Sequence, residues 1–411
     1  MYAHRCEECG GYHYENLADD DDTWSDIYEQ IAAQLLSTED VKINADLHLK
    51  TAKKLIDAVD KAATDSELGK PDPSLIRTLK TNIYPFSAAK SFQQMIYYRN
   101  MMHNKATGRI ESKDSFIKKI AGTGEIFNKT HLTTEYENAY YSTLMADKWN
   151  RFADDEILEY STVGDRNVRP SHAILDKYTA PKSDIFWRKN YPPNGWNCRC
   201  TVVPGKANHQ NRLTPQEAGR QLKAENKDTP FWNNVGESKL IFHDKHPYFL
   251  NSNGKETNLS WEQYGLPNLD KMRAAELPEY KVTTKDEYFD WWKNKSKGNE
   301  HLVLKDVLGN EITFESSDKG KDFKNHILQK AKDKRYEYAT ELESILKTPD
   351  EIWMNPKDKN TISYLKFYEN GAIRVVVNND WKGETMYLIE KDNPAVKNKI
   401  GETRKGILLY R

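Results

Sequence analysis

Cysteine is scarce in these 411 residues, with four in two pairs, Cys6-x-x-Cys9 and Cys198-x-Cys200. That is too few for a disulfide scaffold and fits a reducing compartment, so each pair reads as a metal clip or as plain structure. Charge of one sign is also lacking. Lys plus Arg total 61 against 62 Asp plus Glu, which excludes a chain-wide field for nucleic acid and leaves only local patches. No apolar run approaches the roughly 18 residues of a membrane span, and the opening Met-Tyr-Ala-His-Arg-Cys has no secretory apolar core. The expectation is a soluble chain that is not exported and meets no membrane. A Ser-His-Asp set, His-Glu-x-x-His and a nucleotide cradle are missing, which disfavours a protease or an ADP-ribosyltransferase.

What is present is length and mixed patterning. With 37% hydrophobic and 30% charged residues, the chain is long enough for two or three domains, each with its own core. From Thr23 to about Trp149 apolar residues recur at helical spacing: Ile27, Ile31 and Leu35; Leu55, Ile56 and Val59; Tyr136, Tyr140 and Leu144. An acidic run at 19–22 precedes the first helix as a solvated cap, and Pro71, Pro73 and Pro85 punctuate the later ones. Residues 206–280, rich in Asn, Lys, Pro and Gly, read as a connector with an amphipathic piece at Pro215 and a hairpin signal at Asn251-Ser-Asn-Gly. After 281, in a slightly basic tail, Leu302-Val-Leu and Ile312-Thr-Phe flank Leu308-Gly-Asn as a hairpin, and Lys321 to Leu346 runs as one helix or two. Four strands follow from Glu351, Ser363, Ile373 and Glu384, separated by Asn370-Gly371 and Asn379-Asp-Trp-Lys-Gly383. The predicted class is multidomain α+β, helical first and closing on an antiparallel sheet.

The densest motif spans Tyr160 to Pro204. It begins Tyr-Ser-Thr-Val-Gly-Asp-Arg-Asn-Val-Arg-Pro-Ser-His, passes Asp184-Ile-Phe-Trp, and ends Pro192-Pro-Asn-Gly-Trp-Asn-Cys-Arg-Cys. One residue between Cys198 and Cys200 turns both thiols to one side of an extended chain. Zinc takes about four ligands, and His172 with Asp165, or with Cys6 and Cys9, would complete the set. Buried packing cysteines, a reactive or redox thiol, and a hydrogen-bonded structural His172 are the competing readings. Asp165, Arg166 and Arg169 are suited to ion pairs around the Gly164 turn, and Pro192-Pro193-Asn194-Gly195 to a rigid turn. Over residues 85–205 this pattern resembles the phage Mu F-like minor head, or head morphogenesis, proteins. The resemblance implies a place inside the phage head near the portal, portal and other head proteins and phage DNA as partners, and departure with the genome into the bacterial cytoplasm. Domains are then expected at 1–84, 85–205, 206–280 as connector, and 281–411.

In the tail, Asn325-His326, Lys334-Arg335, Thr348-Pro-Asp-Glu-Ile-Trp, Tyr364-Leu-Lys366, Val375-Val-Val and Thr385-Met-Tyr387 resemble the phage-associated barnase/EndoU/colicin/RelE-like nuclease domains. That resemblance, over about 300–411, implies a metal-independent ribonuclease toxin that needs no cofactor for catalysis, with RNA as substrate and an immunity protein as partner. The chemistry asks for a proton-transfer group and cations: His326 as acid or base, Arg335 and Lys366 on the phosphate, Thr385 and Tyr387 as hydrogen-bond donors. On an unbroken helix His326 and Arg335 point to opposite sides, so both meet one site only if the helix breaks. Strand alternation groups Tyr364, Lys366 and Tyr368 on one face, and Thr385 with Tyr387 on another, as a surface where tyrosines stack on bases. A surface His326, a snorkelling Arg335 and a solvated Lys366 are the plainer alternatives. The rival function is a structural minor capsid protein whose tail is a non-catalytic binding module.

Overall fold

The computed structural model describes residues 3–5, 12–14, 21–38, 40–206, 209–225, 230–250, 259–268, 282–316, 322–329, 335–369, 371–390 and 401–411. They form two compact units, Met1–Glu256 and Thr257–Arg411. The architecture is multidomain α+β, and among the described residues no helix is long and apolar enough to cross a membrane. Cys6, Cys9, Ala331 and Asn370 lie outside the described residues.

The first unit opens on a hairpin of β1 (Ala3–Arg5) and β2 (Tyr12–Tyr14). Helices α1 (Asp21–Ser37), α2 (Ala45–Asp65), α3 (Pro73–Met101), α4 (Lys113–Gly124) and α5 (Leu132–Arg151) follow, with a π-helical turn (Glu125–His131) before α5. Side chains of Asn44, Asp72 and Ser112 accept backbone N–H bonds at the starts of α2, α3 and α4, satisfying donors the helices leave open. The periodic residues Ile27, Ile31, Leu35, Leu55, Val59, Tyr136 and Tyr140 are buried. Pro73 starts α3 as expected, but Pro85 does not punctuate: it lies inside the helix, flanked by buried Ile83, Tyr84 and Phe86. Burial on both sides outweighs the cost of roughly 3 kcal/mol for an interior proline.

Beyond α5 come β3 (Ile157–Ser161), α6 (Pro170–Ala173), β4 (Thr179–Pro181), α7 (Ile185–Asn190) and β5 (Thr201–Pro204). The three strands make an antiparallel sheet in the order β4-β3-β5. The amphipathic piece at Pro215 is α8 (Pro215–Glu225), held at its start by reciprocal bonds between Thr214 and Glu217. Short helices α9 (Val235–Ser238) and α10 (Pro247–Leu250) close the unit.

The second unit contains α11 (Lys285–Lys295), the hairpin β6 (Leu302–Lys305) and β7 (Glu311–Phe314), α12 (Phe323–Gln329), a 3-10 turn (Arg335–Glu341) and α13 (Leu342–Lys347). Its main sheet holds β8 (Glu351–Asn355), β9 (Thr361–Tyr368), β10 (Gly371–Val377), β11 (Gly383–Glu390) and a fifth strand, β12 (Ile407–Tyr410). The antiparallel order is β11-β10-β9-β8-β12. Arg374 stands opposite Leu365 and Tyr387, and Val376 opposite Ser363 and Thr385. These six therefore share one face, and Tyr364, Lys366, Ile373, Val375 and Met386 take the other.

The stretch 206–280, expected as a connector, is divided between the units. Phe242 stacks on Phe86 with centroids 3.6 Å apart, and Asn211 bonds Thr179, both within the first unit. Leu259 and Tyr264 are buried in the second, where Gly406 N–H donates to the Leu259 carbonyl at 2.7 Å and Arg404 donates to the Pro267 carbonyl at 2.9 Å. Asn251-Ser-Asn-Gly, the turn of the expected hairpin, lies outside the described residues; of its flanks, Tyr248 is in α10 and Ser260 bridges to Lys405.

A fragment of residues 257–411 will accordingly unfold at a higher denaturant midpoint than 281–411. The shorter piece lacks Tyr264, whose ring meets Trp353 at 5.6 Å, and one buried aromatic contributes about 3 kcal/mol or more. Equal midpoints would show that 259–268 adds nothing to the core.

Candidate functional site

In the second unit His326 is on α12 and Arg335 opens the 3-10 turn, and residues 330–334 between them lie outside the described residues. The opposite-sided geometry of a continuous helix does not apply. Arg335 Nη1 is 3.3 Å from His326 Nε2 and donates to Thr385 Oγ1 at 2.8 Å. Arginine only donates, so a hydrogen bond at His326 Nε2 makes that nitrogen the acceptor and leaves the ring proton on Nδ1. The Arg335 guanidinium carbon also lies 5.2 Å from the Tyr387 ring centroid. His326, Arg335, Thr385 and Tyr387 are thus together, each half-buried and reaching solvent.

A fifth residue, missed in the sequence reading, completes the group. Arg374 donates from Nη1 to the Tyr387 hydroxyl at 2.7 Å, and from Nε and Nη2 to Ser363 Oγ at 3.0 and 2.8 Å. It was legible only as a cation within the β-branched run of β10, at a position whose parity differs from Ile373 and Val375. Two guanidinium groups therefore flank one tyrosine, beside an imidazole and a hydroxyl. The arrangement suits an anion with several oxygens, because arginine presents paired donors in a fixed fork.

Lys366 is not part of this group. Register turns it to the other face, where Nζ donates to the Thr348 carbonyl at 2.8 Å and to Asp350 at 3.2 Å. The tyrosines expected to stack on bases are likewise corrected. Tyr364 is fully buried and its hydroxyl donates to Asp306 at 2.6 Å, while Tyr368 is buried too. Burial raises the Asp306 carboxyl against the lowering effect of that bond. Alternation groups residues within a strand but does not say which group meets the core.

The long motif of the first unit folds around a second constellation. Asp184 caps α7, burying Phe186 and Trp187. The Gly164 turn is held by a two-point pair between Asp165 and Arg199 at 2.8 and 2.9 Å, so Asp165 is not among the thiols. Arg169 donates to the Trp196 carbonyl at 2.7 Å, and Tyr160 donates to Asn194 at 3.0 Å. Inside these contacts His172 Nδ1 lies 3.7 Å from Cys198 Sγ and 3.5 Å from Cys200 Sγ, all three buried. Hydrogen bonding from Cys200, helped by His172, holds the Cys198 thiol well below the ordinary cysteine range, and the same bond pushes Cys200 up. No other His, Cys, Asp or Glu joins these three among the described residues.

Comparison with known proteins falls on the same two regions. Residues 89–203 match the family described as Phage Mu protein F like protein, and residues 293–411 the family described as phage-Barnase-EndoU-ColicinE5/D-RelE like nuclease2. Protein F of Escherichia phage Mu, described as a capsid assembly protein, is 52% identical over 44 residues, 11% of this chain and 10% of that protein. The Mu-like prophage FluMu F protein of Haemophilus influenzae is 32% identical over 74 residues, 18% of each chain. The chain therefore matches less than a fifth of the length of either relative. No solved structure matches it. One chain thus joins residues 89–203, similar to the Phage Mu protein F like family, to residues 293–411, similar to the phage barnase/EndoU/colicin/RelE-like nuclease family.

Proposed function

We propose that this chain is a phage head protein whose C-terminal unit is a metal-independent endoribonuclease, carried in the virion and delivered with the genome into the host cytoplasm. The observation that carries the reading is the meeting of His326, Arg335, Arg374, Thr385 and Tyr387 at one half-buried patch beside the sheet. None of the five is a carboxylate, and cations with an imidazole are what metal-free cleavage at a ribose requires. Once the bound phosphate has drawn the Arg335 guanidinium off the lone pair of His326 Nε2, that nitrogen removes the proton of the 2′-hydroxyl. That oxygen attacks phosphorus, the O2′–P bond forms and the P–O5′ bond breaks. Arg335 and Arg374 stabilise the added charge on the phosphoryl oxygens, with Thr385 as a further donor. Tyr387 accepts from Arg374 and so keeps its own proton for the departing 5′-oxygen. The similarity of 89–203 to Mu F, described as a capsid assembly protein, supports other head proteins as partners of the first unit, and the portal and packaged DNA belong to the proposal beside them. An immunity protein covering this patch is the partner a packaged toxin calls for.

RNA incubated with the full chain in EDTA will yield ends with 2′,3′-cyclic phosphate, and DNA will survive. Products with 3′-hydroxyl ends that form only with magnesium would overturn the mechanism. RNA bound but never cleaved would leave the tail as a binding module.

A further inference from the structure

The constellation in the first unit has no part in the chemistry at the other. Zinc bonds sulfur at about 2.3 Å and imidazole nitrogen at about 2.0 Å, and tetrahedral angles then set each N···S edge near roughly 3.5 Å. The two observed edges are 3.7 and 3.5 Å. One nitrogen carries either one proton or one lone pair, so it can make a single good hydrogen bond. Two sulfurs converging on it exceed that capacity, but they match three ligands pointing at a shared ion. Its other nitrogen, Nε2, is buried and makes no hydrogen bond. We propose that His172 Nδ1 and the thiolates of Cys198 and Cys200 hold one thiophilic divalent cation of the zinc class.

The surroundings support a structural role for that ion. Cys198 and Cys200 lie just before β5, and His172 is on α6, so one ion ties together two segments 26 residues apart in the chain. The Tyr160 hydroxyl, on β3 beside β5, is buried and donates to Asn194 at 3.0 Å, which ties the turn leading to Cys198 to the small sheet. The Asp165–Arg199 pair fixes the residue between the two cysteines from outside. The small sheet, with short strands of five, three and four residues, gains a cross-link where its own ladder is brief.

The test is metal analysis of the full chain purified without chelator, with Cys198→Ser, His172→Ala and the double variant Cys6→Ser/Cys9→Ser alongside. The wild type should hold about one zinc per chain, and Cys198→Ser and His172→Ala should each fall at least tenfold. Zinc retained in the N-terminal double variant supports the three ligands as sufficient. Zinc lost there as well as in Cys198→Ser identifies that pair as completing the same ion. In case the variants misfold, the wild-type chain is stripped and loaded with cobalt(II), which should give thiolate-to-cobalt charge transfer and the intense visible bands of a tetrahedral site. Less than a tenth of an equivalent of zinc, no cobalt charge transfer, or zinc that follows Cys6 and Cys9 but not Cys198 would each overturn the proposal.

Discussion

Arg335→Ala is expected to lower RNA cleavage by about a hundredfold or more, while Lys366→Ala changes it by less than about threefold. The two residues differ in what they face. Arg335 reaches His326, Thr385 and the Tyr387 ring, so its removal takes a donor from the phosphate and the hydrogen bond that orients the base. Lys366 is a partly exposed partner of Asp350 on the other face, and pairs of that kind contribute about 1 kcal/mol or less. Arg335→Lys keeps the charge but loses the fork, so it should fall between wild type and alanine. Arg374→Ala should resemble Arg335→Ala, and His326→Ala should lose a comparable amount if it is the base. Single-turnover cleavage in EDTA, with circular dichroism to confirm folding, measures all five. Arg335→Ala within threefold of wild type, or a Lys366→Ala loss matching it, would remove this site assignment.

The contrast shows what the sequence made legible. Helical spacing placed Ile27, Ile31, Leu35, Leu55 and Val59 in the core, because 3.6-residue periodicity reports burial directly. Hairpin signals located β6 with β7, and β9 to β11, through their turns, while β8 was read from its own apolar run at Glu351-Ile-Trp-Met. Gly371 explains one such turn: its φ is +154°, and a Cβ there would lie 1.9 Å from the Ile389 carbonyl. Strand β12 escaped because Ile407-Leu-Leu-Tyr is a bare apolar run whose partner, β8, is some fifty residues back, and pairing at that distance has no local signature. Local pattern also could not relate one strand's faces to another's. Tyr364 and Tyr387 both alternate with apolar neighbours, yet register sends the first to the core and the second to Arg374. The approach of His326 to Arg335 is a contact between α12 and the 3-10 turn, which the helical spacing of Lys321 to Leu346 did not reveal. The thiol pair with His172 was readable as a candidate set, whereas the engagement of Asp165 by Arg199 required three dimensions.

Arg404→Ala should destabilise the C-terminal unit by about 3–5 kcal/mol. Arg404 and Glu351 are 1% and 3% exposed, and the guanidinium meets the carboxylate at two points, 2.7 Å from Nε and 2.6 Å from Nη2. The remaining capacity is filled. Trp353 Nε1 donates to Glu351 at 2.7 Å, Arg404 Nη1 donates to the Pro267 carbonyl, and the guanidinium lies over the rings of Trp261 and Phe367. One side chain thus joins segment 259–268 to β8 and β9. Truncating it leaves a buried carboxylate without its counter-charge, which costs more than the pair itself contributes, because desolvation of Glu351 is no longer offset. Glu351→Leu combined with Arg404→Met should therefore recover most of the loss, since no charge then remains buried. Urea unfolding of wild type, both single variants and the double variant measures the coupling as a cycle. A double variant as unstable as Arg404→Ala would show that the arginine acts through its contacts with Trp261, Phe367 and Pro267, and not through its charge.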